Sequence, residues 1–79
     1  SMSTEYTADE VAKHHTEGDC WIIIHGNVYD VTAYVDEHPG GDIIMDVAGA
    51  DGTDQFEDMA HSEEAREELK KYIIGKLKK

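Results

Sequence analysis

Five histidines and one cysteine are the side chains best able to hold a metal in this chain of 79 residues. Cys20 stands alone, which removes an intramolecular disulfide, a Cys-x-x-Cys zinc site and a Cys-x-x-Cys-His covalent haem attachment. His14 and His15 fall at the expected end of a helix and His25 at the end of a strand beside a turn, where surface or helix-dipole roles are the ordinary ones. His38 and His61 differ. The first lies between an expected short helix and a Pro39-Gly40-Gly41 turn, the second between Met59-Ala60 and an expected helix cap at Ser62. They are 23 positions apart, with apolar Ile44, Met45, Phe56 and Met59 between them, a pattern that suits two walls of a pocket. Two imidazoles with no suitably spaced thiolate or carboxylate make a poor zinc site, which takes four ligands. They make a complete axial pair for haem iron, whose other four ligands come from the porphyrin. With bonds of about 2 Å, the two nitrogens must stand roughly 4 Å apart on opposite sides of the ring, which opposite walls allow and one helix does not. Iron held at both axial positions has no place for oxygen and can only pass electrons. The residues alone leave a plainer reading open, with His38 a turn residue and His61 a helix-end residue.

Something must position those corners. Thr7-Ala8-Asp9-Glu10 is a capping box and predicts a helix over 8–14. Cys20–His25 and Val28–Val31 are two β-rich runs around Gly26-Asn27, which predicts a hairpin with a tight primed turn there. Ile22 to Ile24 is apolar without alternation, so that strand should be covered on both faces. Thr32 starts a short helix to Glu37, ended by the residue before Pro39 and by the paired glycines. Asp42 is an expected N-cap for a helical turn carrying Ile43, Ile44, Met45 and Val47; Gly49 to Gly52 breaks it. Thr53–Met59 is a further short helix with Phe56 and Met59 on one face. Ser62 caps Glu63-Glu64, and Lys70-Lys71 occupy the last turn, matching the dipole at both ends. Tyr72-Ile73-Ile74 reads as a closing strand. The fold class is therefore α+β, a small mixed sheet with short helices segregated to one side. The stretch 32–71 holds four short helices and few large apolar residues, so it cannot easily fill a core from its own side chains.

The composition narrows the partners. Eighteen acidic residues against seven basic ones give a formal charge of −11, which argues against nucleic acid or an anionic lipid surface and favours a basic docking partner. No apolar run approaches the roughly 20 residues of a membrane helix, and no signal peptide is visible. The chain length allows one small domain, in which a bound ligand that helps hold the fold is unsurprising. Ser1-Met2 has the form of an expression remnant, and the sequence is compatible with an excised piece of a longer protein.

The motif His38-Pro39-Gly40-Gly41-Asp42 resembles the haem-binding motif of the cytochrome b5 family. Asp19-Cys20-Trp21, Val28-Tyr29-Asp30-Val31-Thr32, Phe56-Glu57-Asp58, His61-Ser62 and Tyr72-Ile73-Ile74-Gly75 match its landmarks in order, so the likeness covers nearly the whole chain, 3–79. The resemblance implies a non-covalent haem b in a cleft between two helix pairs, its iron six-coordinate with His38 and His61 as axial ligands. It implies Tyr34, Ile44, Met45, Phe56 and Met59 as pocket walls, Pro39 stiffening the approach, and Ser62 bonding a propionate. The carbonyls of Gly41 and Phe56 are the implied acceptors for the ligand N–H groups, and Gly40-Gly41 the place where backbone comes close to the ring. Against the family pattern the stretch between the histidines is one residue short, within Asp42–Gly49, and Ile43 replaces a frequent acid. Met59 is a flexible wall rather than a sulfur ligand.

The function so implied is one-electron transfer between a flavin-dependent reductase and basic acceptor proteins, by a monomer in the cytoplasm. A segment outside this sequence would be needed to tether it to the cytosolic face of the endoplasmic reticulum. Asp36, Glu37, Asp42, Asp46, Asp51, Asp54, Glu57 and Asp58 are the expected docking acids. Two alternatives are an electron-input haem domain of a larger fused oxidoreductase and a haem- or steroid-binding regulatory module, whose known members tend to lack this histidine pair. With no Gly-x-Gly-x-x-Gly and no nucleophile arrangement, the domain itself is not expected to be an enzyme.

Overall fold

A computed structural model describes residues 4–37, 41–59 and 62–79. The capping box forms as expected. The Glu10 amide donates to the Thr7 hydroxyl at 3.0 Å, and the Thr7 amide donates to the Glu10 carboxylate at 2.8 Å. The helix it starts, α1, covers Ala8–Ala12 and ends two residues before the expected 14. Lys13 caps it, and His14 turns away to stack on Trp21 with ring centroids 3.6 Å apart while its Nδ1 meets the Asp19 carboxylate at 2.8 Å.

The strands are β1 Glu5–Tyr6, β2 His15–Thr16, β3 Asp19–Ile24, β4 Asn27–Asp30 and β5 Ile73–Leu77. They form a mixed sheet in the order β1-β5-β4-β3-β2, with β1 parallel to β5 and the other pairs antiparallel. The hairpin turn falls one residue earlier than expected. Ile24 pairs with Asn27, leaving His25 (φ 48°) and Gly26 (φ 77°) as the two central residues of a type I′ turn. The closing strand likewise begins at Ile73 rather than Tyr72 and runs on to Leu77.

The pleat of β3 divides the core. Cys20, Ile22 and Ile24, with Tyr29 and Val31, face the helices that follow; Ile23 and Val28 face α1 through Val11. The run Ile22–Ile24 is thus covered on both sides, at 2–4% exposure. Helices α2 Thr32–Glu37, α3 Gly41–Met45, α4 Thr53–Met59 and α5 Glu63–Lys70 lie on the first face. Asp42 is not an N-cap, because α3 already starts at Gly41 and holds Asp42 in its first turn. Beyond α3, residues 49–52 run beside β3: the Gly49 amide donates to the Trp21 carbonyl at 2.7 Å, Ile23 to Ala50 at 3.0 Å, and Gly52 to Ile23 at 2.8 Å. That ladder delivers the start of α4 to the edge of the sheet.

Burial is lopsided. Among the described residues, the buried hydrophobic ones are Val11, Cys20, Ile22, Ile23, Ile24, Val28, Tyr29 and Val31, all from α1, β3, β4 or the residue after β4. Each large aliphatic among them contributes roughly 1.5–3 kcal/mol. Among the described residues, no side chain of α2 to α5 is buried. The sheet half carries its own core, and the helical half does not.

Candidate functional site

The unfilled side of the helical half is a cleft. Its floor is Ile22 and Ile24 of β3, the same residues that close the sheet core. Tyr34 of α2 with Ile43 and Ile44 of α3 form one wall; Phe56 and Met59 of α4 with Ala65 and Leu69 of α5 form the other. Val47, Gly52 and Gln55 also line it among the described residues. The space, open mouth included, is about 600 Å³. Ile43 and Met59 are 45% and 41% exposed, large apolar side chains left uncovered at this cleft.

The cleft brings together Tyr34, Ile44, Phe56 and Met59. Met45 packs against the same core cluster as Tyr34, Ile44 and Phe56 but is not among the described residues lining the cleft, whereas Ile43 and Val47 are. Ile43 and Ile44 of α3 and Val47 just beyond its end stand at the i, i+1, i+4 spacing of a helical stripe. Gly41 is buried, and its close approach is to α2: a Cβ there would run into the Val35 carbonyl. Ser62 is the N-cap of α5, its Oγ accepting from the Ala65 amide at 3.1 Å. Accepting that bond leaves the hydroxyl proton able to donate. The assignments to His38, Pro39 and His61 lie outside the described residues. In the sequence, His38 follows directly on α2, and His61 precedes the Ser62 cap of α5.

Sequence reasoning missed part of the site. Ile22 and Ile24 were legible as buried strand residues but not as a floor. Ala65 and Leu69 had a signal, being the two apolar residues, four apart, of an otherwise charged helix. Gly52 and Gln55 had none.

Charge gathers around the walls rather than in them. Asp36, Glu37, Asp42, Asp46, Asp51, Asp54 and Asp58 are exposed. Glu57 is engaged: one oxygen meets His25 Nε2 at 2.7 Å and the other accepts from Arg66 at 2.5 Å. Arg66 first, then His25, holds the Glu57 carboxyl below the ordinary carboxylate range. Asp51 is lowered by the Thr53 hydroxyl and amide it accepts from. At the far end of α5, burial and then the nearby Glu68 push the Tyr72 hydroxyl up; its ring meets Tyr34 edge-on at 5.8 Å.

A five-stranded mixed sheet carrying four short helices around an apolar cleft defines a small ligand-binding α+β domain. Residues 7–78 match the cytochrome b5-like heme/steroid binding domain, and the chain belongs to that family. It is 52% identical over 79 residues to a probable cytochrome b5 of Neurospora crassa, covering 99% of this chain and 57% of that protein. It is 53% identical over 81 residues to cytochrome b5 of Drosophila melanogaster, covering 96% and 60%. The chain thus spans about three fifths of the length of these relatives. Among solved structures, cytochrome b558 of Ectothiorhodospira vacuolata, a prokaryotic homologue of cytochrome b5, superposes with a TM-score of 0.88 at 38% identity, covering 98% of this chain and all of that one. Cytochrome b5 of Ostreococcus tauri virus 2 gives 0.79 at 39% identity, covering 92% and 95%. No helix among the described residues is long and apolar enough to cross a membrane.

Proposed function

We propose that the cleft holds a haem b between His38 and His61 and that the domain carries single electrons between a flavin-dependent reductase and basic acceptor proteins. One observation carries this: an apolar cleft whose helical walls contribute no buried side chain among the described residues, two of those walls, α2 and α5, adjoining in sequence the positions that offer imidazoles. Walls of Ile, Phe, Met and Leu suit the faces of a porphyrin, with Met59 taken as a flexible wall rather than as a sulfur ligand. Bound haem supplies a reversible one-electron couple; the protein supplies the axial ligands and a dry, shaped site. Tyr34, Ile44, Phe56 and Met59 exclude water, the carbonyls of Gly41 and Phe56 orient the imidazoles, and Ser62 donates to a propionate at the rim. A steroid, the family's other ligand class, would fill the same walls but give two imidazoles nothing to bind. A free carrier and an electron-input part of a larger enzyme would use the same site.

The test is an absorption spectrum of hemin-reconstituted protein, oxidised and reduced. A low-spin six-coordinate spectrum indifferent to carbon monoxide is expected, and His38→Ala should abolish tight binding while the β3–β4 hairpin stays formed. Protein that stays colourless, or iron that takes up carbon monoxide readily, overturns the proposal.

A further inference from the structure

Glu57 joins three elements that are distant in sequence. Its carboxylate is shared between His25, in the hairpin turn, and Arg66, on α5, while Glu57 itself sits on α4 next to the cleft residue Phe56. Arg66 then stands 5.1 Å from the centroid of the Phe56 ring, at cation–π distance. One guanidinium therefore ties α5 to α4 and bears on a ring that lines the cleft. The hairpin end is fixed separately, by the His25 amide donating to the Thr53 hydroxyl at 2.9 Å at the start of α4.

An exposed ion pair is ordinarily of little consequence. Here the setting differs. Neither α4 nor α5 buries a described side chain, so little core packing fixes the angle between them. A charge-assisted bond with both carboxylate oxygens engaged has defined geometry, and networks of this kind act as units. We infer that Glu57 is a positioning residue: held between His25 and Arg66, it sets α4 against α5 and the hairpin, and thereby how firmly the cleft grips its occupant. The inference rests on the haem reading for the identity of that occupant, and not for the clamp itself.

Two measurements separate the two. Amide exchange of the haem-free chain reads the clamp directly. Glu57→Ala should speed exchange across Thr53–Lys70 while leaving β3 and β4 as protected as before. Transfer of haem from the loaded chain to an excess of a scavenging apoprotein reads the grip. Release should quicken roughly tenfold, the order expected from losing one charge-assisted hydrogen bond. Arg66→Ala should do the same, and the double variant should be no worse than either alone, since one unit has been broken. Glu57→Gln, whose amide can still accept from Arg66 and donate to a neutral His25, should restore most of the grip, which a loss of general stability would not explain. Equal protection of α4 and α5 in Glu57→Ala overturns the clamp. Faster exchange with unchanged haem release overturns its effect on the cleft. A wild-type chain that takes up no hemin overturns the haem reading instead, and the exchange comparison still decides the clamp.

Discussion

Gly41 shows how a single residue can shape the cleft without lining it. A Cβ at this position would collide with the Val35 carbonyl oxygen and sit 3.0 Å from Val35 Cα. Both are backbone atoms that cannot swing aside. The glycine is needed so that α3 can lie against α2, which brings Ile43 and Ile44 to the cleft. Gly41→Ala should cost about 2 kcal/mol, as overpacking does, seen as a lower urea midpoint, and should weaken haem retention; an unchanged midpoint would show that the α2–α3 corner yields. Glu57 makes the pH prediction. Its folded-state value lies below the ordinary glutamate range through Arg66 and then His25. A lowered carboxylate binds fewer protons folded than unfolded, so its contribution is complete above that range and fades as the pH falls through the lowered value. The stability gap between wild type and Glu57→Gln should therefore be flat near neutrality and close in acid, read from paired urea titrations across pH. A gap that widens in acid would contradict the assignment.

At the scale of elements, the sequence announced whatever was local. The Thr7–Glu10 box, the Ser62 cap, and the helices Thr32–Glu37 and Thr53–Met59 follow from side chains that bond to their own neighbours. The two-residue strands β1 and β2 were not legible. Glu5 and Tyr6 become a strand only because Lys76 and Leu77 lie beside them, a pairing across most of the chain. The turn was misplaced by one because His25 takes a positive φ that its residue type does not advertise. The cleft was legible in outline, through Tyr34, Ile44, Phe56 and Met59, whereas its floor depended on which face of β3 met the helices. That division has a dynamic consequence. With its buried side chains in the sheet and α1, the haem-free chain should protect amides of β3 and β4 while α2 to α5 exchange quickly; hemin should slow the helices selectively, because a ligand bound only by the folded cleft stabilises that part of the structure. Equal helical protection with and without hemin would mean that the walls are set without a ligand.

On the scale of the whole molecule, charge acts in two opposed ways. Eighteen acids against seven bases leave a net charge of −11 on a body about 30 × 26 × 20 Å, so much of the self-repulsion acts within a few screening lengths. The ion pairs that offset it, Lys70–Glu67 and Lys71–Glu68 among them, are largely exposed and of small worth. Repulsion should win, and salt should stabilise the fold. The same acids, exposed on α2, α3 and α4 beside the cleft, would draw a basic partner toward it, and that attraction weakens with screening. Raising ionic strength from about 0.15 M to 1 M shortens the Debye length from about 8 Å to 3 Å. Over that interval the thermal midpoint should rise while stopped-flow reduction by a flavin reductase with a basic docking face slows. The opposite signs matter because each excludes a trivial explanation of the other: a protein damaged by salt would lose both, and one merely stiffened would not lose encounters. A reduction rate indifferent to salt, alongside a rising midpoint, would leave the acids as a solvated surface and remove their part in docking.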